Sequence, residues 1–148
     1  MCGRYNLTDS PAVQTLLAML DIKIGPLPVR FNICPTEQIP VIVRQQGQTM
    51  MLDMRWWLVP GWSDGPITSY AMFNARAETL LKSKAYAQPF KKQRCIIPAT
   101  SFIEWQKTDQ GKLPRLVQPA KGVFAFAGIW DYWKPESLYS FSIITTEA

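Results

Sequence analysis

The second residue of the chain is a cysteine, in the segment Cys2-Gly3-Arg4 directly behind Met1. Removal of Met1 would place an α-amine and a thiol on the same residue. An α-amine has a pKa of about 7.7 to 8.0 and is substantially unprotonated near neutral pH, so it can condense with an aldehyde to an imine. The neighbouring thiol can then close a five-membered thiazolidine. The ordinary interpretation of Met-Cys is that a small second residue permits routine removal of methionine.

The chain contains no histidine. This excludes Ser-His-Asp and Cys-His arrangements and removes the commonest general base near neutral pH. Acid and base roles therefore fall to carboxylates, amines or water. The three cysteines, Cys2, Cys34 and Cys95, show no Cys-x-x-Cys spacing, so we expect neither a disulfide framework nor a metal site. We expect Cys34 and Cys95 to be thiols of the core.

Length and composition indicate one domain over residues 1–148, of which 47% are hydrophobic. The net charge of +5 suits a polyanionic partner such as nucleic acid. No stretch approaches the roughly 18 apolar residues of a membrane span. We therefore expect a soluble cytoplasmic protein that has no membrane partner, and the sequence does not indicate an oligomeric state.

Hydrophobic patterns predict an α+β fold with a mostly antiparallel, curved sheet or open β-barrel and a few helices. Ser10 and Pro11 precede apolar residues at helical spacing, which predicts a helix to about Leu20. A second helix is predicted from Asn74, as its N-cap, to about Tyr86. The proline-rich residues 25–40 are predicted to be irregular. Strands are predicted at 41–44, 49–57, 94–97, 101–105, 123–130 and 139–145. Because no cap or tail follows the last of these strands, we expect the sheet to be incomplete at the C-terminus.

Three segments combine polar side chains with aromatic or small neighbours in a way that packing alone does not require. They are Cys2-Gly3-Arg4, Asn74-Ala75-Arg76-Ala77-Glu78 and Phe102-Ile103-Glu104-Trp105. Between them lie Arg30-Phe31-Asn32-Ile33-Cys34-Pro35, Trp56-Trp57-Leu58-Val59-Pro60-Gly61-Trp62 and Arg94-Cys95-Ile96-Ile97-Pro98. In this order and at these intervals the segments resemble the SRAP family, which includes the bacterial SOS response-associated peptidase and the eukaryotic sensor of abasic sites in single-stranded DNA.

The resemblance implies that Met1 is removed and that Cys2 forms a thiazolidine with the ring-opened aldehyde of an abasic site in single-stranded DNA. This chemistry belongs to the DNA damage (SOS) response and requires no cofactor and no metal. Asn74 would hydrogen-bond near the amine and the sugar, although a helix N-cap accounts for it equally well. Glu104 would move protons as the sugar ring opens; the alternative is an exposed charge on a strand.

The resemblance also assigns DNA contacts. Arg4 and Arg76 would bind phosphates that flank the lesion, although scattered arginines commonly serve only as solvated charges. Trp62 and Trp105 would stack on bases next to the abasic position or wedge a duplex end. The remaining tryptophans are expected in the core.

The family pattern continues beyond the last residues present here into a His-x-Arg-Met-Pro motif. Its histidine is associated in the family with strand cleavage at the abasic site and with reversal of the crosslink. Because the sequence contains no histidine, we do not expect these lyase and reversal activities from it.

Two other functions fit the same residues. In the first, the protein is a thiol peptidase, which is a kind of hydrolase. Cys2, assisted by Glu104, removes Met1 from the same chain. In the second, the arginines and tryptophans form a non-enzymatic module that binds single-stranded nucleic acid, with an affinity that falls steeply with salt and is indifferent to abasic lesions.

Overall fold

The computed structural model describes residues 2–23 and 25–147. Within these residues the chain forms ten strands, two α-helices and two short 3-10 helices. The strands are β1 (Tyr5–Leu7), β2 (Arg30–Ile33), β3 (Gln38–Gln45), β4 (Gln48–Trp56), β5 (Asn74–Arg76), β6 (Arg94–Ala99), β7 (Ser101–Thr108), β8 (Gly111–Val117), β9 (Phe124–Trp133) and β10 (Leu138–Thr145). The α-helices are α1 (Pro11–Met19) and α2 (Ala87–Lys92), and the 3-10 helices span Ala77–Lys82 and Lys134–Glu136. This composition confirms the predicted α+β class.

The larger sheet has the strand order β4-β3-β6-β9-β10-β5 and is mostly antiparallel. It closes into a barrel of five strands because β10 also pairs in parallel with β4, where Phe141 lies opposite Trp56. The two rings stack with centroids 6.4 Å apart and planes 6° apart. Both side chains are fully buried, so aromatic packing lies at the point where the barrel closes. The predicted curved sheet or open barrel is confirmed.

A second sheet, in the order β2-β1-β7-β8, lies against the barrel. One of its links to the barrel is Tyr5 on β1, a fully buried residue. The Tyr5 ring meets Trp56 at 5.3 Å and Phe126 at 5.7 Å, both edge to face. The first strand of the chain is thereby packed into the same core as the barrel strands.

Helix α1 follows its predicted signals. The Ser10 hydroxyl accepts a hydrogen bond from the Val13 backbone N–H at 3.3 Å, and Pro11 occupies the first helical turn. Val13 and Leu17, one turn apart, are buried. No helix among the described residues is long and apolar enough to cross a bilayer.

The predicted helix from Asn74 to Tyr86 is wrong: this range holds a strand and the 3-10 helix Ala77–Lys82, and α2 begins only at Ala87. Asn74 begins strand β5, which pairs in parallel with β10 through Asn74 opposite Ile143 and Arg76 opposite Thr145. Ala75 between them is fully buried, so burial and strand pairing override the helix propensity of the Ala and Glu residues in this segment. Asn74 is therefore not an N-cap.

Two smaller expectations also need correction. Residues 25–40 are not wholly irregular, since β2 and the start of β3 lie within them. Cys95 is a buried core thiol as expected, but Cys34 is only half-buried. Cys34 follows an edge strand, and an edge strand has a neighbour on one side only.

Replacement of Gly128 by alanine tests the packing of the barrel. An added Cβ at this position on β9 would lie 2.6 Å from Ile97 Cδ1, 2.9 Å from Cys95 Sγ and 3.0 Å from the Ser142 backbone oxygen. Because strand pairing fixes that backbone, we expect Gly128→Ala to lower the free energy of unfolding by about 1–3 kcal/mol in urea titrations. Gly25→Ala, which adds a Cβ in open space, should stay within about 0.5 kcal/mol of the wild type. Equal stability of the two variants would contradict the described packing.

Candidate functional site

Cys2 lies just before β1 and is 4% exposed. Its thiol donates a weak hydrogen bond to the backbone oxygen of Arg4, with Sγ 3.7 Å from that oxygen. The side chain lines a cleft of about 520 Å³. The other lining residues are Phe102, Glu104, Phe126, Ile143, Ile144, Thr145 and Thr146.

Strand pairing brings Glu104 to this cleft. β1 and β7 are antiparallel with Tyr5 opposite Phe102. Side chains alternate along a strand, so Phe102 and Glu104 share one face of β7. That face meets the cleft, where both residues line the wall together with Cys2. A carboxylate and a thiol from distant parts of the chain therefore share one cavity.

Burial raises the pKa of the Cys2 thiol from its ordinary value of 9.0 to about 12. The backbone of Arg4 opposes this shift, while the negative charge of Glu104 adds to it. The thiol is consequently neutral at pH 7. A neutral thiol is a poor nucleophile. The first attack on an electrophile in this cleft therefore needs either a different nucleophile or a group that accepts the thiol proton.

Asn74 binds the same N-terminal segment from the other side. Its Nδ2 donates a hydrogen bond to the Cys2 backbone oxygen at 2.8 Å. Its Oδ1 is buried and has no hydrogen-bond partner within residues 2–23 and 25–147. A buried acceptor without a donor lowers the stability of the folded state. This oxygen is therefore suited to accept a hydrogen bond from a ligand or from the α-amine that removal of Met1 would free.

A network of asparagine side chains, exposed at Asn32 and buried at Asn6, positions Arg4. Its Nη1 donates to Asn32 Oδ1 at 3.0 Å, and Asn32 has a left-handed backbone conformation, with φ of 55°. The Asn32 backbone N–H in turn donates to Asn6 Oδ1 at 2.7 Å, and Asn6 Nδ2 donates to Ser101 Oγ at 2.8 Å. The sequence analysis named Asn32 only as part of a motif and missed this role. The one signal for it is the residue type, because asparagine tolerates the left-handed backbone conformation.

Arg76 lies on β5 opposite Thr145, a residue of the cleft wall. Its guanidinium contacts two carboxylates, Glu147 at 3.1 Å and Glu78 at 3.7 Å. Exposed ion pairs of this kind stabilise a protein by only about 0–1 kcal/mol. A phosphate could therefore replace either carboxylate at little cost.

The two tryptophans predicted to stack on bases are not among the residues that line the Cys2 cleft. Trp62 is 59% exposed and borders a separate cleft of about 640 Å³. There the Lys84 ammonium lies 4.4 Å from the centre of its ring. Trp105 is 49% exposed and follows Glu104 on β7, so its side chain points to the opposite face of the strand. Any base contact of these rings lies outside the Cys2 cleft.

A family model described as SOS response associated peptidase (SRAP) matches residues 1–148. The chain belongs to the SRAP family. This confirms the resemblance carried by the segments around Cys2, Asn74 and Glu104.

Among SRAP relatives, abasic site processing protein YoaM of Bacillus subtilis is 35% identical over 156 residues, covering 99% of this chain and 68% of its own. Abasic site processing protein YoqW of Bacillus phage SPbeta is 34% identical over 154 residues, which cover 99% of this chain and 69% of YoqW. A crystal structure of a protein from Bacteroides thetaiotaomicron superposes with a TM-score of 0.78 at 24% identity, covering 99% of this chain and 68% of that one. This match shows that the two chains share a fold.

The raised pKa of Cys2 predicts a loss of stability in alkali. The folded state keeps the thiol proton above pH 9, where the unfolded chain loses it, so the stabilisation is complete below pH 9 and declines toward pH 12. Between pH 8 and pH 10 the wild type should lose about 1.4 kcal/mol more than Cys2→Ser. Urea titrations at both pH values measure this, with an N-terminal tag that keeps Cys2 within the chain.

Cys34→Ser is the matched control, because it removes a half-buried thiol and leaves Cys2 in place. It should retain the alkaline loss of the wild type. If Cys2→Ser loses as much stability as the wild type, Cys2 is not buried as described.

Proposed function

We propose that the protein captures abasic sites in single-stranded DNA by forming a covalent thiazolidine through Cys2 once Met1 has been removed. The observation that carries the proposal is that Cys2 and Glu104 line one cleft while the Asn74 amide binds the Cys2 backbone. The names of the relatives YoaM and YoqW, abasic site processing proteins, support the choice of substrate. Met1 itself lies outside the described residues.

The proposed reaction joins one aldehyde to two groups of Cys2. The freed α-amine attacks the C1′ aldehyde of the ring-opened deoxyribose, and loss of one water gives the imine. The thiol sulfur then adds to the imine carbon and its proton passes to the nitrogen, which closes the thiazolidine. Bonds from C1′ to nitrogen and to sulfur replace the carbonyl, so the net change is the loss of one water.

Glu104 supplies the proton transfers that these steps need. A carboxyl group can protonate the leaving oxygen, and the carboxylate can accept the proton of the attacking thiol. The thiol needs such an acceptor because burial keeps it protonated at neutral pH. In this role Glu104 would act on the reacting atoms; its place on the wall of the cleft that Cys2 also lines supports this.

Asn74 holds the N-terminal residue for the reaction. Its Nδ2 already anchors the Cys2 carbonyl, and its buried Oδ1 would accept a hydrogen bond from the freed α-amine. Fixing the amine and thiol beside the aldehyde turns a bimolecular condensation into an effectively intramolecular one, which can lower the barrier by several kcal/mol.

Two arginines suit a DNA strand. Arg4 is oriented by Asn32 and Arg76 lies opposite Thr145, so each would bind a phosphate on the strand that carries the lesion. The net charge of +5 favours approach of the polyanion.

Self-removal of Met1 is a second function that the same cleft favours. The Cys2 thiol lies directly after the Met1–Cys2 peptide bond, and Glu104 shares its cavity. Attack of the thiol on that carbonyl, assisted by the carboxylate and followed by hydrolysis, would release Met1. This activity would prepare the aminothiol and then end.

Covalent capture predicts a Cys2-dependent crosslink. Protein prepared without Met1 and incubated with a single-stranded oligonucleotide that contains an abasic site should give a shifted band on a denaturing gel. Cys2→Ser should abolish that band, because serine cannot close a thiazolidine. Cys34→Ser should crosslink at the wild-type rate, since its thiol lies outside the cleft-lining set.

A band that persists in Cys2→Ser would overturn the proposal. Equal non-covalent affinity for intact and abasic strands, without any band, would instead support the non-enzymatic binding module.

Glu104→Gln tests the proton transfers. With Met1 already removed by a site-specific protease, we expect the variant to form the crosslink at least about 100-fold more slowly than the wild type, since general acid–base catalysis commonly contributes about 10²–10⁴-fold. Gel time courses at pH 7 measure the rate. An unchanged rate, combined with Met1 retention when the variant is translated without methionine aminopeptidase, would place Glu104 in self-removal instead.

A further inference from the structure

The hairpin of β7 and β8 presents exposed side chains on both of its faces. All seven residues of β8 are exposed, as are the residues of β7 from Trp105 onward. Because β8 is an edge strand, no strand in the described part of the chain lies on its outer side. The hairpin is thus an open surface next to the candidate site.

Cross-strand register sorts the hairpin residues onto two faces. Glu104 lies opposite Arg115, on the face that meets the Cys2 cleft. On the other face Trp105 lies opposite Pro114, and Lys107 lies opposite Lys112. An aromatic side chain is therefore followed along one face by two ammonium groups.

The lysine pair is unfavourable in the isolated protein. Like charges directly opposite each other on neighbouring strands destabilise a hairpin. Neither lysine takes part in an ion pair within the described parts of the chain, and the acid closest in sequence is Asp109, in the turn. A phosphate bound between Lys107 and Lys112 would remove the repulsion.

The same face continues to Arg4. The Ile103 backbone N–H donates to the Arg4 backbone oxygen at 2.9 Å, so Arg4 lies opposite Ile103 and on the face that Trp105 shares. The four residue-to-residue steps from Ile103 to Lys107 span about 13 Å at about 3.3 Å per residue. A DNA strand with about 3.4 Å per stacked nucleotide covers this distance with about four nucleotides.

We propose that the face formed by Trp105, Lys107 and Lys112 binds the DNA strand about four nucleotides from the phosphate that Arg4 would hold. Trp105 stacks on a base, and the lysine pair holds a phosphate. The inference rests on the proposed function for the position of the lesion. The proposal predicts that the protein prefers a DNA strand that extends well beyond the lesion. A short fragment that carries the lesion reaches only the cleft.

Non-covalent binding tests this surface. Fluorescence anisotropy is measured with oligonucleotides that carry a tetrahydrofuran abasic analogue, which has no aldehyde, and flanks of either two or ten nucleotides on each side. For ten-nucleotide flanks we expect Lys107→Ala/Lys112→Ala to bind about tenfold more weakly, with the salt slope reduced by about 0.7, the value for one phosphate on a single strand. For two-nucleotide flanks its affinity should equal that of the wild type.

Lys91→Ala/Lys92→Ala is the matched control, because it removes two exposed lysines from α2. It should leave the difference between long and short flanks unchanged. The proposal is overturned if the hairpin variant behaves like this control, or if it weakens both oligonucleotides equally. Because the analogue cannot crosslink, failure of thiazolidine formation would leave this test and its result intact.

Discussion

The antiparallel pairing of β1 with β7 is the constraint on which the candidate site depends. β1 has only three residues, yet its register places Tyr5 opposite Phe102 and so brings the preceding Cys2 to the wall that carries Glu104. A slip of one residue would turn the β1 side chains to the opposite face of the sheet. The buried Tyr5 ring, packed on Trp56 and Phe126, resists that slip.

The chemistry of the site follows from how completely the N-terminal segment is buried. Burial keeps the Cys2 thiol protonated, which protects it from ordinary electrophiles in solution. In the proposed reaction the α-amine attacks first and the thiol reacts only with an imine already attached to the same residue. In that reaction a substrate has to enter the cleft and present an aldehyde, so the proposed chemistry assigns selectivity to the fold.

Sequence reasoning predicted the parts of the fold that depend on local signals. The cap and apolar face of α1 and the β3–β4 hairpin are of this kind, since turn residues and periodicity specify both. Asn74 was misassigned to a helix because its strand exists only through pairing with β10, which lies far along the chain. The placement of Asn32 under Arg4 and the outward orientation of Trp105 likewise depend on strand register, which composition does not encode.

The most direct test of the account is the chemical identity of the linkage between protein and abasic DNA. Protein without Met1 is incubated with an abasic single-stranded oligonucleotide and treated with borohydride, and the digested crosslink is analysed by mass spectrometry. The account predicts an N-terminal Cys2 peptide whose added mass is that of the sugar fragment less one water, unchanged by borohydride because a thiazolidine has no imine to reduce. A peptide that gains two hydrogens, or an adduct on a lysine, would contradict it.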